Sequence, residues 1–307
     1  MSKTAFLFPG QGSQAPGMGR ELAQHFPWAR AVFERADAAL GFAISRLCFE
    51  GPEEELQLTE NTQPAVLTCS IAAWTVLREK SIAADYVAGH SLGEYSALVA
   101  AGALDFSDAV KLVRRRGQYM QEAVPPGVGA MAALLGLPLG DIVRICTMSA
   151  EDEIVAPANL NSPDQVVIAG HKVAVERAVA AAKTAGAKRA VMLPVSAPFH
   201  CALMAPAQRR LAADLADTLM RDLEIPLVNN YAAREVRTAA EARQGLIDQV
   251  PNPLRWEESI RYLAAQGVTH FIEVGPGRVL TGQLRSIDRS LQASNVEDLK
   301  SLEKLLS

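Results

Sequence analysis

The feature that most constrains the fold is a Gly-x-Ser-x-Gly pentapeptide between a strand-like and a helix-like segment. Gly89, Ser91 and Gly93 hold the fixed positions, with the apolar run 85–88 before them and a helical pattern over 94–101 after them. Small flanking residues permit a turn sharp enough to lift the serine hydroxyl out of the sheet edge. The N–H groups of the helix N-terminus can then stabilise an oxyanion. The pattern predicts a nucleophile elbow, and the alternative is an ordinary turn with Ser91 as N-cap.

Strand-like and helix-like segments alternate along most of the chain, which predicts an α/β fold with a parallel sheet covered by helices. Strands are expected over residues 4–8, 85–88, 227–229 and 270–274. Helices are expected over residues 19–40, 63–79 with Pro64 at the start, 94–101, 107–122, 206–222, 239–248 and 257–265. The polar tail from Asp288 onward is expected to be peripheral.

Residues 127–196 follow a different order of elements. Strands are expected over 130–135, 154–160, 166–169 and 189–195, and helices over 139–148 and 173–185. The order βαββαβ is the ferredoxin-like arrangement. We therefore expect a main domain made of residues 1–126 and 197–307, and a ferredoxin-like subdomain, residues 127–196, inserted into it.

Charge and cysteine usage narrow the class of protein. A net charge of −4 argues against a general nucleic-acid binder, although a local basic group could still hold an anionic substrate. No apolar run reaches the length of a membrane span. The four cysteines are scattered without C-x-x-C spacing, which fits free thiols in a reducing compartment. We expect a cytoplasmic protein with no membrane association.

A serine nucleophile needs a base, and the chain offers five histidines. His200 lies where the inserted segment returns to the main domain, and such boundaries often form clefts. It is the candidate base, with a satisfied loop histidine as the alternative. His90 adjoins Ser91 and is expected to pack or hydrogen-bond beside it. The other histidines are expected at the surface or packed at a strand edge: His25, His171 and His270. No acidic residue between Ser91 and His200 is distinctive, so either an acid or a backbone carbonyl could orient the base.

Two further groups could act on a substrate. Gln11 lies in a glycine-rich loop after the first strand, and its backbone N–H together with that of Leu92 could hold an oxyanion; a simple tight turn is the alternative. Arg114, Arg115 and Arg116 form a basic run that could be a solvated helix face. An arginine of this run turned inward could instead bind a carboxylate bidentately.

Other patterns predict no chemistry. His90 and Glu94 stand four apart without a third ligand, so no metal site is expected. The Gly-Pro-Gly at residues 275–277 lacks the third glycine of a dinucleotide fingerprint. Cys201 adjoins His200, and neighbouring residues usually project to different sides, so we expect it to pack.

Seven motifs occur in order along nearly the whole chain, and together they resemble the malonyl-CoA:acyl-carrier-protein transacylases of bacterial fatty acid synthesis. The motifs are FPGQGSQ (8–14), GHSLGE (89–94), RGQYM (116–120), NLNSP (159–163), FH (199–200), NP with a following Trp (252–253 and Trp256) and EVGPG (273–277). The resemblance implies an α/β-hydrolase-like core with an inserted ferredoxin-like subdomain, in agreement with the element order.

The resemblance also implies a role for each matching catalytic position. Ser91 is implied to be the acylated nucleophile and His200 its base. The family orients this histidine with a main-chain carbonyl, which here belongs to Gln249. Gln11 and Leu92 match the positions of the oxyanion hole.

The substrate-binding positions follow in the same way. Arg116 matches the arginine that binds the free malonyl carboxylate, which leaves Arg114 and Arg115 as surface residues. Phe199 resembles the malonyl-preferring variant of its segment. His90 and Asn161 are implied to line the substrate site.

The implied reaction is a ping-pong transfer of malonyl from malonyl-CoA to a holo acyl carrier protein by a monomeric enzyme. No metal or redox cofactor is expected. Basic residues could form a rim for an acidic carrier: Arg114, Arg115, Lys188 and Arg189. Alternatives are a serine hydrolase or thioesterase, a non-catalytic carrier-binding subunit, and an enzyme loading a polyketide synthase or malonate decarboxylase carrier.

Overall fold

The main sheet of the protein has six strands. A computed structural model describes residues 2–195 and 197–307; Ser196, the last residue of the predicted insertion, lies outside them. The six strands are β1 (Lys3–Phe8), β2 (Tyr86–Gly89), β7 (Leu227–Val228), β8 (Glu235–Val236), β9 (Val268–Val274) and β10 (Gln292–Val296). Their order is β10-β9-β1-β2-β7-β8, and all neighbours are parallel except β7 and β8.

Helices cover both faces of this sheet. Alternate residues of β1 point to opposite sides, so that Phe6 and Phe8 join one apolar core while Ala5 and Leu7 join another. The helices are α1 (Arg20–His25), α2 (Pro27–Leu40), α3 (Ile44–Glu50), α4 (Glu53–Leu56), α5 (Thr59–Glu79), α6 (Gly93–Ala100), α7 (Phe106–Glu122), α10 (Ala205–Asp217), α11 (Ala239–Gln249), α12 (Trp256–Ala265), α13 (Val279–Ile287) and α14 (Leu299–Leu306). The parallel sheet predicted from the alternation of elements is confirmed.

A second, antiparallel sheet is built from the middle of the chain. Its elements are β3 (Gly129–Leu135), α8 (Leu139–Ala150), β4 (Val155–Ser162), β5 (Gln165–His171), α9 (Lys172–Thr184) and β6 (Arg189–Met192). The sheet order β4-β5-β3-β6 is that of a ferredoxin-like fold, which confirms the predicted fold class. Ala132 and Leu134 of β3 face α8 and α9, whereas Met131 and Ala133 face the main core.

The two sheets meet along β4. The Leu160 N–H donates to the carbonyl of Leu254 at 2.9 Å, and the Leu254 N–H donates to the carbonyl of Ala158 at 2.8 Å. The chain just before α12 is therefore hydrogen-bonded to the edge of the small sheet.

The register of β1 and β2 decides where a site can form. Phe8 pairs with Gly89 in parallel, so both strands end at the same sheet edge. The glycine-rich loop and the pentapeptide emerge there side by side, at the carboxyl end of a parallel sheet where ligands bind in such folds.

Two helices next to or containing a proline have bounds that differ from those predicted. The single helix expected over 19–40 is broken, because Phe26 before Pro27 adopts an extended conformation with φ −119° and ψ 115°. The helix expected to start at Pro64 starts at Thr59, so Pro64 lies inside it. A proline this close to a helix N-terminus removes only one intrahelical hydrogen bond, that to Glu60.

The prediction for the C-terminal segment was wrong. Residues 292–296 form the edge strand β10, and Val296 and Leu302 are buried in the main core. The helix expected over 206–222 also ends earlier, at Asp217. Among the described residues, no helix is long and apolar enough to cross a membrane.

Candidate active site

The pentapeptide forms a sharp turn from β2 into α6. Ser91 has φ 52°, a left-handed conformation that is uncommon for a residue with a side chain. A Cβ atom on Gly89 would lie 2.0 Å from the Gly93 carbonyl, and one on Gly93 would lie 2.0 Å from the Phe8 oxygen. Both glycines are therefore required for close backbone approach, and the turn presents Ser91 above the sheet edge.

His200 lies within hydrogen-bonding distance of the serine. Its Nε2 is 2.8 Å from Ser91 Oγ, and its Nδ1 is 2.9 Å from the main-chain oxygen of Gln249. A carbonyl can only accept, so Nδ1 carries the proton and Nε2 is free to accept the serine proton. The predicted nucleophile, base and orienting carbonyl are thus brought together by residues far apart in sequence.

The environment of His200 favours its neutral form. The side chain is buried, and burial together with the positive charge of Arg116 lowers its pKa to about 3. A neutral imidazole at physiological pH is the form that can take a proton from serine.

Arg116 is the inward member of the arginine run. It is only 1% exposed, and its guanidinium donates to Gln63 Oε1 at 2.8 Å, Gln249 Oε1 at 2.9 Å and Ser91 Oγ at 3.1 Å. A buried cation therefore stands directly beside the nucleophile.

The two preceding arginines point elsewhere. Arg114 donates to Asn61 and stacks over the ring of Phe42, with 4.3 Å between its guanidinium carbon and the ring centroid. Arg115 forms a surface ion pair with Asp214. The three arginines of the run therefore have different surroundings, and Arg116 is the one buried beside Ser91.

A buried polar network underlies the turn, and the sequence analysis missed most of it. Asn230 Oδ1 accepts the Ser91 N–H at 2.7 Å, and its Nδ2 donates to the Gly89 carbonyl at 2.7 Å. Glu94 Oε2 accepts the Asn230 N–H and Gln249 Nε2, each at 2.9 Å. The network holds the strained turn by both its N–H and carbonyl groups.

Some of these residues left a signal in the sequence and others left none. Glu94 follows the pentapeptide directly, and an acid in the first turn of a helix beside a nucleophile could have been singled out. Gln63 and Asn230 sit in unremarkable segments, and their contacts to Arg116 and Ser91 span 53 and 139 residues.

Gln11 and Leu92 both line the cavity at Ser91. In residues 2–195 and 197–307, neither backbone N–H donates to a protein acceptor. The Gln11 side chain donates to Thr59 Oγ1 at 3.3 Å, which fixes the loop. Two unpaired N–H groups on residues that line one cavity are candidates to receive an oxyanion.

The remaining predicted residues lie around the serine. His90 Nε2 is 2.9 Å from Asn161 Oδ1, and its ring meets Trp256 edge-on with 5.5 Å between centroids. Asn161 also donates to Gln165 at 3.3 Å. His90 and Phe199 form part of the cavity wall. Asn161, which was expected to line the site, is not in that wall: it hydrogen-bonds to His90, and on the small sheet the wall contains Asn159 instead.

The cavity above Ser91 is small, at about 100 Å³, and is shared by the two sheets. Apart from the polar groups described above, its walls are largely apolar, so a short acyl group could fill it. The apolar lining residues are Leu92, Met120, Met131, Leu193, Val195 and Phe199. Within the described part of the chain, no cluster of three or more histidine, cysteine or acidic residues could hold a metal ion.

Comparison with known proteins gives a consistent result. Residues 5–305 match the family described as acyl transferase domain. The chain is 50% identical over 307 residues to the malonyl CoA-acyl carrier protein transacylase of Escherichia coli (strain K12), covering 100% of this chain and 99% of that protein. It is 49% identical over 304 residues to the protein of the same name from Bacillus subtilis (strain 168), covering 99% and 96%.

Solved structures agree over the full length. An acyl carrier protein S-malonyltransferase from Vibrio cholerae O1 biovar eltor superimposes with a TM-score of 0.97 at 47% identity, covering 99% of this chain and 100% of that chain. A malonyl-transacylase in complex with its type II PKS acyl-carrier protein gives a TM-score of 0.97 at 49% identity, covering 99% of each chain.

Proposed function

The chain belongs to the acyl transferase family, and from that premise we propose that it transfers malonyl groups from malonyl-CoA to an acyl carrier protein. The group is carried between the two thiols as an ester of Ser91. The observation that carries this proposal is the buried guanidinium of Arg116, 3.1 Å from Ser91 Oγ. A malonyl ester places its free carboxylate one methylene beyond the ester carbonyl, which is within reach of that guanidinium.

In the first half-reaction, Ser91 Oγ attacks the thioester carbon while its proton passes to His200 Nε2. The oxyanion is held by the N–H groups of Gln11 and Leu92. When the C–S bond breaks, His200 returns the proton to the sulfur of CoA, and Ser91 carries the malonyl ester.

The second half-reaction reverses these roles. The phosphopantetheine thiol of the carrier gives its proton to His200 and attacks the ester carbonyl. Collapse of the intermediate breaks the bond to Ser91 Oγ, which recovers the proton. Every proton and electron pair is accounted for by the two thiols, Ser91 and His200, so the reaction needs no metal or redox cofactor.

Arg116 supplies the preference for malonyl over acetyl groups. Its guanidinium is desolvated, and a carboxylate is the partner that matches it in charge and shape. An acetyl group offers this guanidinium no carboxylate, so its donors gain no charge-assisted hydrogen bonds from the substrate.

The architectural proposal keeps the predicted boundaries. Residues 1–126 and 197–307 form the catalytic domain, and residues 127–196 form the inserted ferredoxin-like subdomain. We also propose that the enzyme acts as a monomer, since the described residues of a single chain supply a nucleophile, a base and a guanidinium for the substrate. Four buried free cysteines fit a reducing compartment, and we place the enzyme in the cytoplasm.

The carrier of fatty acid synthesis is the proposed acceptor. A polyketide carrier is the second candidate, favoured by the likeness to a transacylase solved with a type II PKS carrier. CoA release from malonyl-CoA, measured without acceptor and with each holo carrier, separates the possibilities. The proposal expects sustained release only with a carrier, together with a malonylated carrier. Sustained release without any carrier would instead identify a hydrolase.

A further inference from the structure

Glu94 is a buried carboxylate whose two oxygens have different surroundings. The side chain is 0% exposed and lies in the first turn of α6. Oε2 accepts two hydrogen bonds, from the Asn230 N–H and from Gln249 Nε2. Oε1 is equally buried, and no donor among the described residues reaches it. A buried anionic oxygen without a partner is costly, and protonation at Oε1 would lower that cost by removing the negative charge from the desolvated carboxyl.

One amide connects this carboxylate to the guanidinium beside the nucleophile. Gln249 donates through Nε2 to Glu94 and accepts through Oε1 from Arg116 at 2.9 Å. The two charges thus share one buried network, and both are screened from water. A third charge entering the cavity acts on both of them.

The groups around Glu94 keep their protonation state near neutral pH, whereas the carboxyl of Glu94 can change its own. Burial raises the pKa of Glu94 to about 7, against the lowering effect of the hydrogen bonds from Asn230 and Gln249 and of the charge on Arg116. Tyr95 on α6 has its own pKa raised to a range where it stays neutral. Asn230 and Gln249 are neutral amides, and the pKa values of His90 and His200 are lowered by burial. Glu94 is therefore the group that can change charge near neutral pH.

The inference follows from the charges present in the active site before and after malonyl loading, and it rests on the proposed function. The empty site holds one positive charge on Arg116 and one negative charge on Glu94. The malonyl carboxylate adds a second negative charge to a site shielded from solvent, which disfavours two ionised carboxylates. We propose that Glu94 takes up one proton from solvent when malonyl is loaded on Ser91, and releases it when malonyl leaves for the carrier.

This coupling makes malonyl loading depend on pH in a defined direction. The malonyl-enzyme binds more protons than the free enzyme once Glu94 is ionised in the free form. The equilibrium constant for loading should therefore fall as pH rises above about 7, by up to about tenfold per pH unit. An acetyl group adds no charge, so its loading should lack this dependence. A merely structural Glu94 would produce no such difference.

Proton uptake tests the inference directly. Wild-type enzyme and the Glu94→Gln variant are mixed with stoichiometric malonyl-CoA in weakly buffered indicator dye near pH 8. The adduct is quantified by mass spectrometry in parallel. Released CoA ionises equally in both samples, so their difference isolates Glu94. We expect the wild type to take up a large fraction of one proton per adduct relative to Glu94→Gln. Glu303→Gln, an exposed control, should behave as wild type.

The possible outcomes distinguish a failure of this inference from a failure of the proposed function. Normal adduct formation with equal proton signals in wild type and Glu94→Gln overturns the inference and leaves the transferase function intact. Absence of any adduct on the wild type removes the proposed function, and the inference with it. If Glu94→Gln does not fold, carbon-13 NMR of wild-type enzyme labelled at the glutamate carboxyl decides. One carboxyl signal should move to the protonated position on malonylation, and an unchanged spectrum contradicts the inference.

Discussion

At the scale of single residues, the account depends on one cation beside one nucleophile. Arg116 reaches Ser91, Gln63 and Gln249 from α7, and its burial makes each of these contacts count for more than it would at the surface. The same charge lowers the pKa of His200. The side chain proposed to select the malonyl carboxylate therefore also contributes, after burial, to keeping His200 neutral.

Replacing this arginine should separate malonyl from acetyl transfer. Arg116→Ala removes charge-assisted hydrogen bonds to the malonyl carboxylate worth ~3 kcal/mol, so kcat/KM for malonyl-CoA should fall about 100-fold. Activity with acetyl-CoA should fall far less. Lys111→Ala, an exposed lysine on the same helix, serves as the control and should resemble wild type. Equal losses on the two substrates would remove the proposed role of Arg116.

The low pKa of His200 predicts an unusual pH profile. An ordinary histidine base has a pKa near 6.5 and loses activity below it. With a pKa of about 3, His200 stays neutral, so the rate of Ser91 acylation should not fall between about pH 7 and pH 5. Stopped-flow measurements of the Ser91 acylation rate with malonyl-CoA, made between about pH 7 and pH 5, test this prediction. A decline with a midpoint near pH 6.5 would contradict the assigned environment of His200.

Sequence reasoning could place the nucleophile but not all of its surroundings. The pentapeptide locates Ser91 because its glycines permit the close backbone approach that a sharp turn between β2 and α6 requires. Which of three successive arginines points inward depends on how α7 packs, so the residues alone favoured a surface face and only the family resemblance indicated Arg116. The hydrogen bonds from Asn230 and Gln63 depend on tertiary contacts between distant segments, which no local pattern reports.

At the scale of elements, the close packing of α6 against β1 holds the active-site edge together. Gly93 begins α6, and its α-carbon leaves no room for a side chain against the Phe8 carbonyl. The elbow therefore depends on a backbone contact between two elements. Helix boundaries were less predictable than helix existence, because Pro27 breaks one helix while Pro64 is tolerated within another.

A pair of glycine substitutions tests this contact. Gly93→Ala forces α6 away from β1 and should lower the free energy of unfolding by about 3 kcal/mol. Gly282→Ala, in the exposed interior of α13 with open space at its Cβ position, should raise it by about 0.5–1 kcal/mol. Urea denaturation of both variants provides the measurement. A Gly93→Ala protein as stable as the wild type would show that the elbow has room for a side chain.

At the scale of the whole molecule, the active site lies where the two sheets meet. Ser91 and Leu92 come from the main sheet edge, while Met131 of β3 and Asn159 of β4 close the cavity from the small sheet. The order of strands and helices along the chain made this fold class predictable. The C-terminal strand β10 was not, because an edge strand with the polar sequence 292–296 lacks an apolar pattern.

The free basic residues of the small sheet suggest where a carrier docks. Among the described residues, Arg115 forms an ion pair with Asp214. Lys188 and Arg189 are exposed, and neither forms an ion pair with a described residue. A Lys188→Glu, Arg189→Glu double variant should lower kcat/KM for an acidic carrier about tenfold, with loading from malonyl-CoA nearly unchanged. A Lys300→Glu, Lys304→Glu double variant on α14, where both lysines are exposed, is the charge-matched control. Unchanged carrier kinetics in the double variant would exclude this rim.

In the proposed mechanism, a malonyl ester on Ser91 links the two half-reactions. Intact-protein mass spectrometry after brief mixing with malonyl-CoA, followed by peptide mapping, tests it most directly. The account predicts one malonyl adduct on the Ser91 peptide, absent in Ser91→Ala and lost when holo acyl carrier protein is added. Malonyl transfer to the carrier without an adduct, or with full activity in Ser91→Ala, would contradict it.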